Sequence, residues 1–285
     1  MTHSKFTFFV IKLNMRLNMK FSSLLSIVIL LSFGSCKEQK QKSDGTTSNM
    51  ILESNHPSFV TDMEFAHEKD NLHKNEMVCF NLDMTFGSNK SLMKIFTTPN
   101  SSAIRVDKKN GTSTILIDGK TYTNAEKSQW QSEKFGIYTY QYFFMAPYKF
   151  SDQGTKWEKL DPMEINGEVT NRAKLTFDDG TGDSPNDWYI VHSDPESHLV
   201  NHIGYIVTGG GTSIEEAEKS AHAISYENYV QVSGVPMSTK WIFSDYNKDE
   251  GLGDQIGEGN IRNIDFMDLR DEFSIAFTDE YRLIE

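Results

Sequence analysis

Cys36 stands where a thiol can be acylated. Ahead of it run a basic stretch with Lys12, Arg16 and Lys20, an apolar run from Leu24 to Phe33, and the small pair Gly34-Ser35. Basic, apolar and small segments in that order describe a secretory signal, and a cysteine directly after them makes it a lipoprotein-type signal with Cys36 as the first mature residue. The apolar run is about 10 residues long, whereas a helix across a ~30 Å hydrocarbon core needs roughly 20. The run is therefore read as part of a removed signal, residues 1–36, and not as a membrane span. Met19-Lys20-Phe21 makes an ordinary start for such a signal and Met15 is a second candidate, so residues 1–18 are read as lying ahead of the true start.

Other residue types that carry chemistry are weaker candidates. Cys79 has no partner once Cys36 is acylated, since the chain holds two cysteines; in a strand-like segment it is a small half-buried hydrophobe. Asp245-Tyr246-Asn247-Lys248-Asp249-Glu250-Gly251 has the D-x-N-x-D spacing of a calcium loop. Glu250 and Ile256, however, stand where an EF-hand needs glycine and a bidentate glutamate, so a solvated hairpin loop is expected. The acidic, glycine-containing stretch from Asp178 to Asp187 also offers oxygen ligands for a hard cation, but has the composition of an ordinary strand connection. His192, His198 and His202 crowd one hairpin, with nothing that forces them onto a common metal; surface or hairpin-edge histidines are expected. Trp130, Trp157, Trp188 and Trp241 suit a sugar site or a packed core equally. There is no G-x-S-x-G elbow, Walker loop or dinucleotide fingerprint. No catalytic residue, metal ligand or cofactor is assigned, although a metal-assisted hydrolase using the acidic loops is a third-ranked alternative.

Charge narrows the partners. Removing residues 1–36 takes four basic and no acidic residues from a chain of net charge −12 and leaves −16. So acidic a chain is a poor match for nucleic acid or for anionic headgroups, which leaves the lipid anchor as the route to a membrane. The 249 residues after Cys36 are enough to bury a substantial core. Lys37 to Ser48 is polar and free of apolar side chains and reads as a tether, with residues 37–57 taken as the linker and 58–285 as one domain.

These residues need elements to position them. Ser58 to Lys74 is expected to be a helix, with Phe59, Met63, Ala66 and Leu72 roughly on a helical period. From Asn75 on the period becomes two: Val78, Phe80, Leu82, Met84 and Phe86 alternate with polar or small residues, which predicts a strand with one buried face. Leu92 to Thr97, Ala103 to Asp107 and Thr112 to Ile117 continue as short strands, with turns at Asn110-Gly111 and Asp118-Gly119. Phe135 to Ala146 is apolar on nearly all sides and predicts a buried helix ended by Pro147. Further strands are expected at Glu168 to Phe177, Trp188 to His192, Leu199 to Val207, Tyr226 to Val232, Met237 to Phe243, Ile261 to Leu269 and Phe273 to Phe277, with a short helical piece at Ile214 to Ser220. The class is mainly β (α+β), antiparallel, with about eleven strands and two or three helices.

A resemblance goes further. Tyr142-Phe143-Phe144-Met145-Ala146-Pro147-Tyr148, Ser151-Asp152-Gln153-Gly154-Thr155, Gly182-Asp183-Ser184-Pro185-Asn186-Asp187-Trp188-Tyr189, Asp194-Pro195, Tyr205-Ile206-Val207-Thr208 and Gly234-Val235-Pro236 are similar to motifs of the DUF6503 family. These are Flavobacteria-type lipoproteins of unknown function within the LolA/LolB-like superfamily. The likeness spans roughly Phe59 to Phe277. It implies an unclosed half-barrel with helices on the concave face and an outer-membrane lipoprotein facing the periplasm or the cell surface. Charged residues right after Cys36 resemble the signals by which Bacteroidota export lipoproteins to the cell surface. The superfamily's carriers imply a hydrophobic ligand, lipid or a lipoprotein acyl chain, lined by Phe80, Leu82, Met84, Phe86, Tyr142, Phe143 and Met145. Burial at about 0.8 kcal/mol per methylene would hold such a chain. The alternative is a rigid envelope module that meets a protein partner and has no ligand cavity.

Overall fold

The computed structural model describes residues 56–182, 184–269 and 271–284. Cys36 and the charged residues after it lie outside that range. The chain begins with α1 (Ser58–Ala66) and α2 (Lys69–Leu72) and continues with a meander of β1 (Met77–Phe86), β2 (Asn89–Thr97), β3 (Ala103–Lys108), β4 (Ser113–Ile117) and β5 (Lys120–Thr123). After α3 (Trp130–Met145) come β6 (Thr155–Ile165), β7 (Glu168–Phe177), β8 (Tyr189–Ser193) and β9 (Val200–Tyr205). A short α4 (Ile214–Glu218) precedes β10 (His222–Val232), β11 (Val235–Asn247), β12 (Gly251–Met267) and β13 (Arg282–Ile284).

All thirteen strands form one sheet in the order β13-β5-β4-β3-β2-β1-β12-β11-β10-β9-β8-β7-β6. Its two meanders, β1–β5 and β6–β12, join where β1 pairs antiparallel with β12, from Met77↔Met267 to Phe86↔Gly257. The sheet does not close, and β6 and β13 are its edges. This order places α3. The segment leaving β5 must reach β6, eleven places away across the sheet, and a 16-residue helix covers about 24 Å of that path. Hence α3 crosses one face, here called inner, and buries Ile137, Phe143, Phe144 and Met145 there.

Alternation along β1 fixes both faces. Val78, Phe80, Leu82 and Met84 enter the inner core with α3, with Val60 and Met63 of α1 and with Leu72 of α2. Met77 and Cys79 point outward into a second cluster with Phe96, Ile115 and Phe273. A third cluster, also outside, packs Trp188, Ile190 and Tyr246 against Ala217 of α4. Gly204 of β9 carries the ring of Tyr246 so closely that a Cβ there would overlap it.

The structure corrects several expectations. Ser58 to Lys74 is two helices, because Glu68 takes a left-handed backbone (φ 56°) and breaks the ladder. Phe273 to Phe277 lies in a 3₁₀ segment, Asp271–Phe277, that caps the outer cluster instead of adding a strand. Among the described residues there are thirteen strands where about eleven were expected: β5, β6 and β13 add to the expected set, and β12 starts ten residues earlier than expected.

Candidate functional site

The inner face under α3 is filled. Phe80 stacks on Phe144 with ring centroids 3.9 Å apart and planes 18° apart. Phe143 packs on Tyr205 and Phe243 at 4.9 and 5.9 Å, and Tyr226 donates to the Phe143 carbonyl at 2.8 Å. The expected lining is thus brought into one cluster: Phe80, Leu82, Met84, Phe143 and Met145 are buried, while Phe86 and Tyr142 are half-buried at its margin. At the C-terminal end of α3, a void of about 10 Å³ lies between Phe144, Tyr148, Tyr226 and Trp241.

Polar bonds hold α3 in place. Near its start, Glu133 pairs with Lys108 at 2.6 Å and accepts from Thr114 at 3.1 Å. Two turns later Gln141 donates to Thr97 at 3.2 Å and to Ser101 at 2.5 Å. Each of these is a buried group with a charged or fixed partner, the kind whose loss costs more than an exposed bond.

The roof formed by α1 is different. Glu64, buried, accepts from the Ser151 amide and hydroxyl, both at 2.7 Å, and from Lys69 at 2.7 Å. His67 is fully buried; its Nδ1 donates to the Met63 carbonyl at 2.8 Å, and its Nε2 faces the Val200 amide at 3.5 Å. Burial pulls its pKa from 6.5 to about 4, so the ring is neutral. These contacts grip the C-terminal half of α1 and its junction with α2. Toward its start the roof stands away from the sheet. There Ser58, Phe59, Asp62 and Met63 face Lys159, Asn171, Ala173, Val191, Ser193 and His198 across a cleft of about 180 Å³.

The register shows how the floor is built. Lys159 pairs with Ala173, Ala173 with Val191, and Val191 with Ile203. Read from the edge inward, the row passes from an exposed cation through a small apolar residue into the buried core. Arg172 borders the cleft, but its guanidinium is occupied by the carbonyls of Asp161 and Lys248, at 2.7 and 3.0 Å. Sequence reasoning placed Phe59 and Met63 on a helix through their spacing and did not name them as site residues. It missed Lys159, Asn171 and Ser193, because β6 lacks alternation and their neighbours across strands are set by register.

The remaining candidates resolve into structure. His192 is not a surface group: it is fully buried, 3.0 Å from Thr170 and 2.9 Å from Tyr246, because β8 turns it toward the outer cluster. His202 lies directly across from it and bonds Ser225 at 2.7 Å, whereas His198 sits in the turn with φ 59°. Cys79 packs in the outer cluster, and burial pushes its thiol pKa up, away from a reactive thiolate. Asp245 and Asn247 belong to β11, and the Asp249 amide bonds Asn247 in a tight hairpin. Asp178 pairs with Lys156 and Asp187 accepts from Thr208, so their carboxylates are drawn apart; Asp183 lies outside the described residues. Among the described residues no three His, Cys, Asp or Glu side chains converge as for a metal.

Several motif residues prove to be tethers: Ser151 to Glu64, Asp187 to Thr208, and Tyr148 to the Pro236 carbonyl at 2.7 Å.

Neither a protein family nor a curated protein matches the chain. Solved structures of similar topology include a LolA superfamily protein from Nitrosomonas europaea, at 12% identity and TM-score 0.48, covering 76% of this chain and 98% of that one. A DUF1329 family protein from Desulfovibrio piger is similar at 9% identity and TM-score 0.48, over 77% of this chain and 96% of its own. The Mycobacterium tuberculosis lipoprotein LppX is similar at 10% identity and TM-score 0.24, over 53% and 88%. At such values these likenesses decide neither family nor function.

Proposed function

We propose that the chain is an envelope lipoprotein, anchored through acylated Cys36 at the outer membrane, that binds a hydrophobic ligand against the inner face of its half-barrel. The observation that carries this reading is the cleft of about 180 Å³ under α1, which opens beside an apolar row leading into the core. Lipid or a lipoprotein acyl chain is the ligand class. A long chain would enter at this cleft and meet Phe80, Leu82, Met84, Phe86, Tyr142, Phe143 and Met145 only by displacing α3. The work is binding and not catalysis, and requires no cofactor.

A second reading is favoured by a different observation. With about 10 Å³ of void beneath the α3 end and buried polar bonds along the helix, the same fold serves as a rigid surface for a protein partner. Native mass spectrometry of protein purified from its source without the anchor separates the two. Bound lipid is expected. A clean apo mass, with hydrogen exchange in α1 and α3 unchanged by added lipid, overturns ligand binding and leaves the rigid module.

A further inference from the structure

The cleft under α1 has a polarity that names a narrower ligand, a refinement that rests on the hydrophobic-ligand reading proposed for this face. Its size sets the first limit. A cavity of about 150 Å³ accommodates a benzene ring, so about 180 Å³ has room for roughly six or seven carbons and not for a diacyl lipid. The floor sets the second. Lys159 lies on the exposed edge strand with no ion-pair partner among the described residues, and inward of it come Ala173 and Val191, both buried. Phe59 and Met63 form the apolar roof over that row, while Asn171 and Ser193 form a parallel polar row beside it. Phe59 is itself held edge-on to Trp157 at 5.9 Å, so the roof has a fixed wall at the β6 side.

A cation at the mouth and apolar atoms within match a molecule with an anionic head and a single slender tail. We propose that the cleft takes a short-chain carboxylate amphiphile, its head at Lys159 and its tail running inward over Ala173 and Val191 beneath Phe59 and Met63. Asp62 also lines the cleft, from α1, so Lys159 and Asp62 favour opposite head groups. Head-group charge is therefore the sharpest test.

The experiment is calorimetric titration of the full chain with sodium octanoate, octylamine and 1-octanol. Saturable one-to-one binding is expected for octanoate, weaker for the alcohol and weakest for the amine. Lys159→Glu changes an exposed residue and should weaken octanoate by at least about tenfold. Ala173→Phe fills the floor and should abolish binding; because it lies in a packed strand, Ser193→Leu is measured beside it, with melting curves for both. The proposal is overturned by an absence of saturable octanoate binding, by affinity unchanged from the parent in the charge-reversed or the filled variant, or by tighter binding of the amine. Co-purified lipid together with unaltered octanoate binding in Lys159→Glu overturns the cleft assignment while the wider reading stands. Octanoate binding lost in that variant, with no co-purified lipid, supports the cleft and sinks the long-chain carrier.

Discussion

Burial holds the His192 imidazole at about 3, with His202 and Arg172 adding to the effect, while burial alone takes His202 to about 4. His67 behaves alike. Unfolded, each ring takes up a proton near pH 6.5; folded, it refuses until pH 4 or below. Their contribution to stability is therefore complete above about pH 6.5 and is lost as pH falls through the window beneath it, by up to about 1.4 kcal/mol per pH unit for each. His192→Gln keeps hydrogen-bonding capacity between Thr170 and Tyr246 and removes the titrating base. Urea unfolding of this variant at pH 7, 5.5 and 4.5 should fall less steeply than that of the parent. Equal slopes would mean that His192 is not among the buried bases that set acid sensitivity. The burial of His192 was hidden in the sequence, since a place on the same strand face as Trp188 and Ile190 does not reveal that α4 covers that face.

Helices and strands differed in how openly they were written. β1 was legible residue for residue because its inward side chains are uniformly large and apolar. β12 was half-hidden: only its part from Ile261 was expected, because Gly251, Gly253, Gly257 and Gly259, with Asp254 and Glu258 among them, show no apolar alternation. Their register opposite β1 and β11 is what makes them a strand. β6 was invisible because its side chains are exposed or half-exposed on both faces as far as Ile165, which leaves no buried row to set a period of two. Phe273 to Phe277 misled in the opposite sense, its alternating apolar residues fitting a 3₁₀ cap as well as a strand. In the site itself, α1 depends on one carboxylate. Glu64→Ala removes the acceptor for Ser151 and Lys69, and a loss of about 2–3 kcal/mol is expected. Hydrogen exchange should then quicken across residues 58–66 with little change in β1; uniform quickening would show that α1 is no separable roof.

At the level of the molecule, the expected attachment is a single covalent one. Cys36→Ser should leave the protein unanchored or unprocessed, and membrane fractionation reads this directly. If the variant sediments with outer membrane as the parent does, something besides a lipid anchor holds it there. Among the described residues no helix is long and apolar enough to cross a membrane. The sheet's edges add a consequence of another kind. One sheet of thirteen strands leaves two borders, where the same strands split into two sheets would leave four. The β13 border is three residues long, and β6 is interrupted at Asp161-Pro162, where the register slips and an amide is missing, with Lys156, Glu158, Lys159 and Glu164 along its length. Neither border therefore offers a neighbouring copy a long, flat, uncharged strand to pair with, however closely two copies approach.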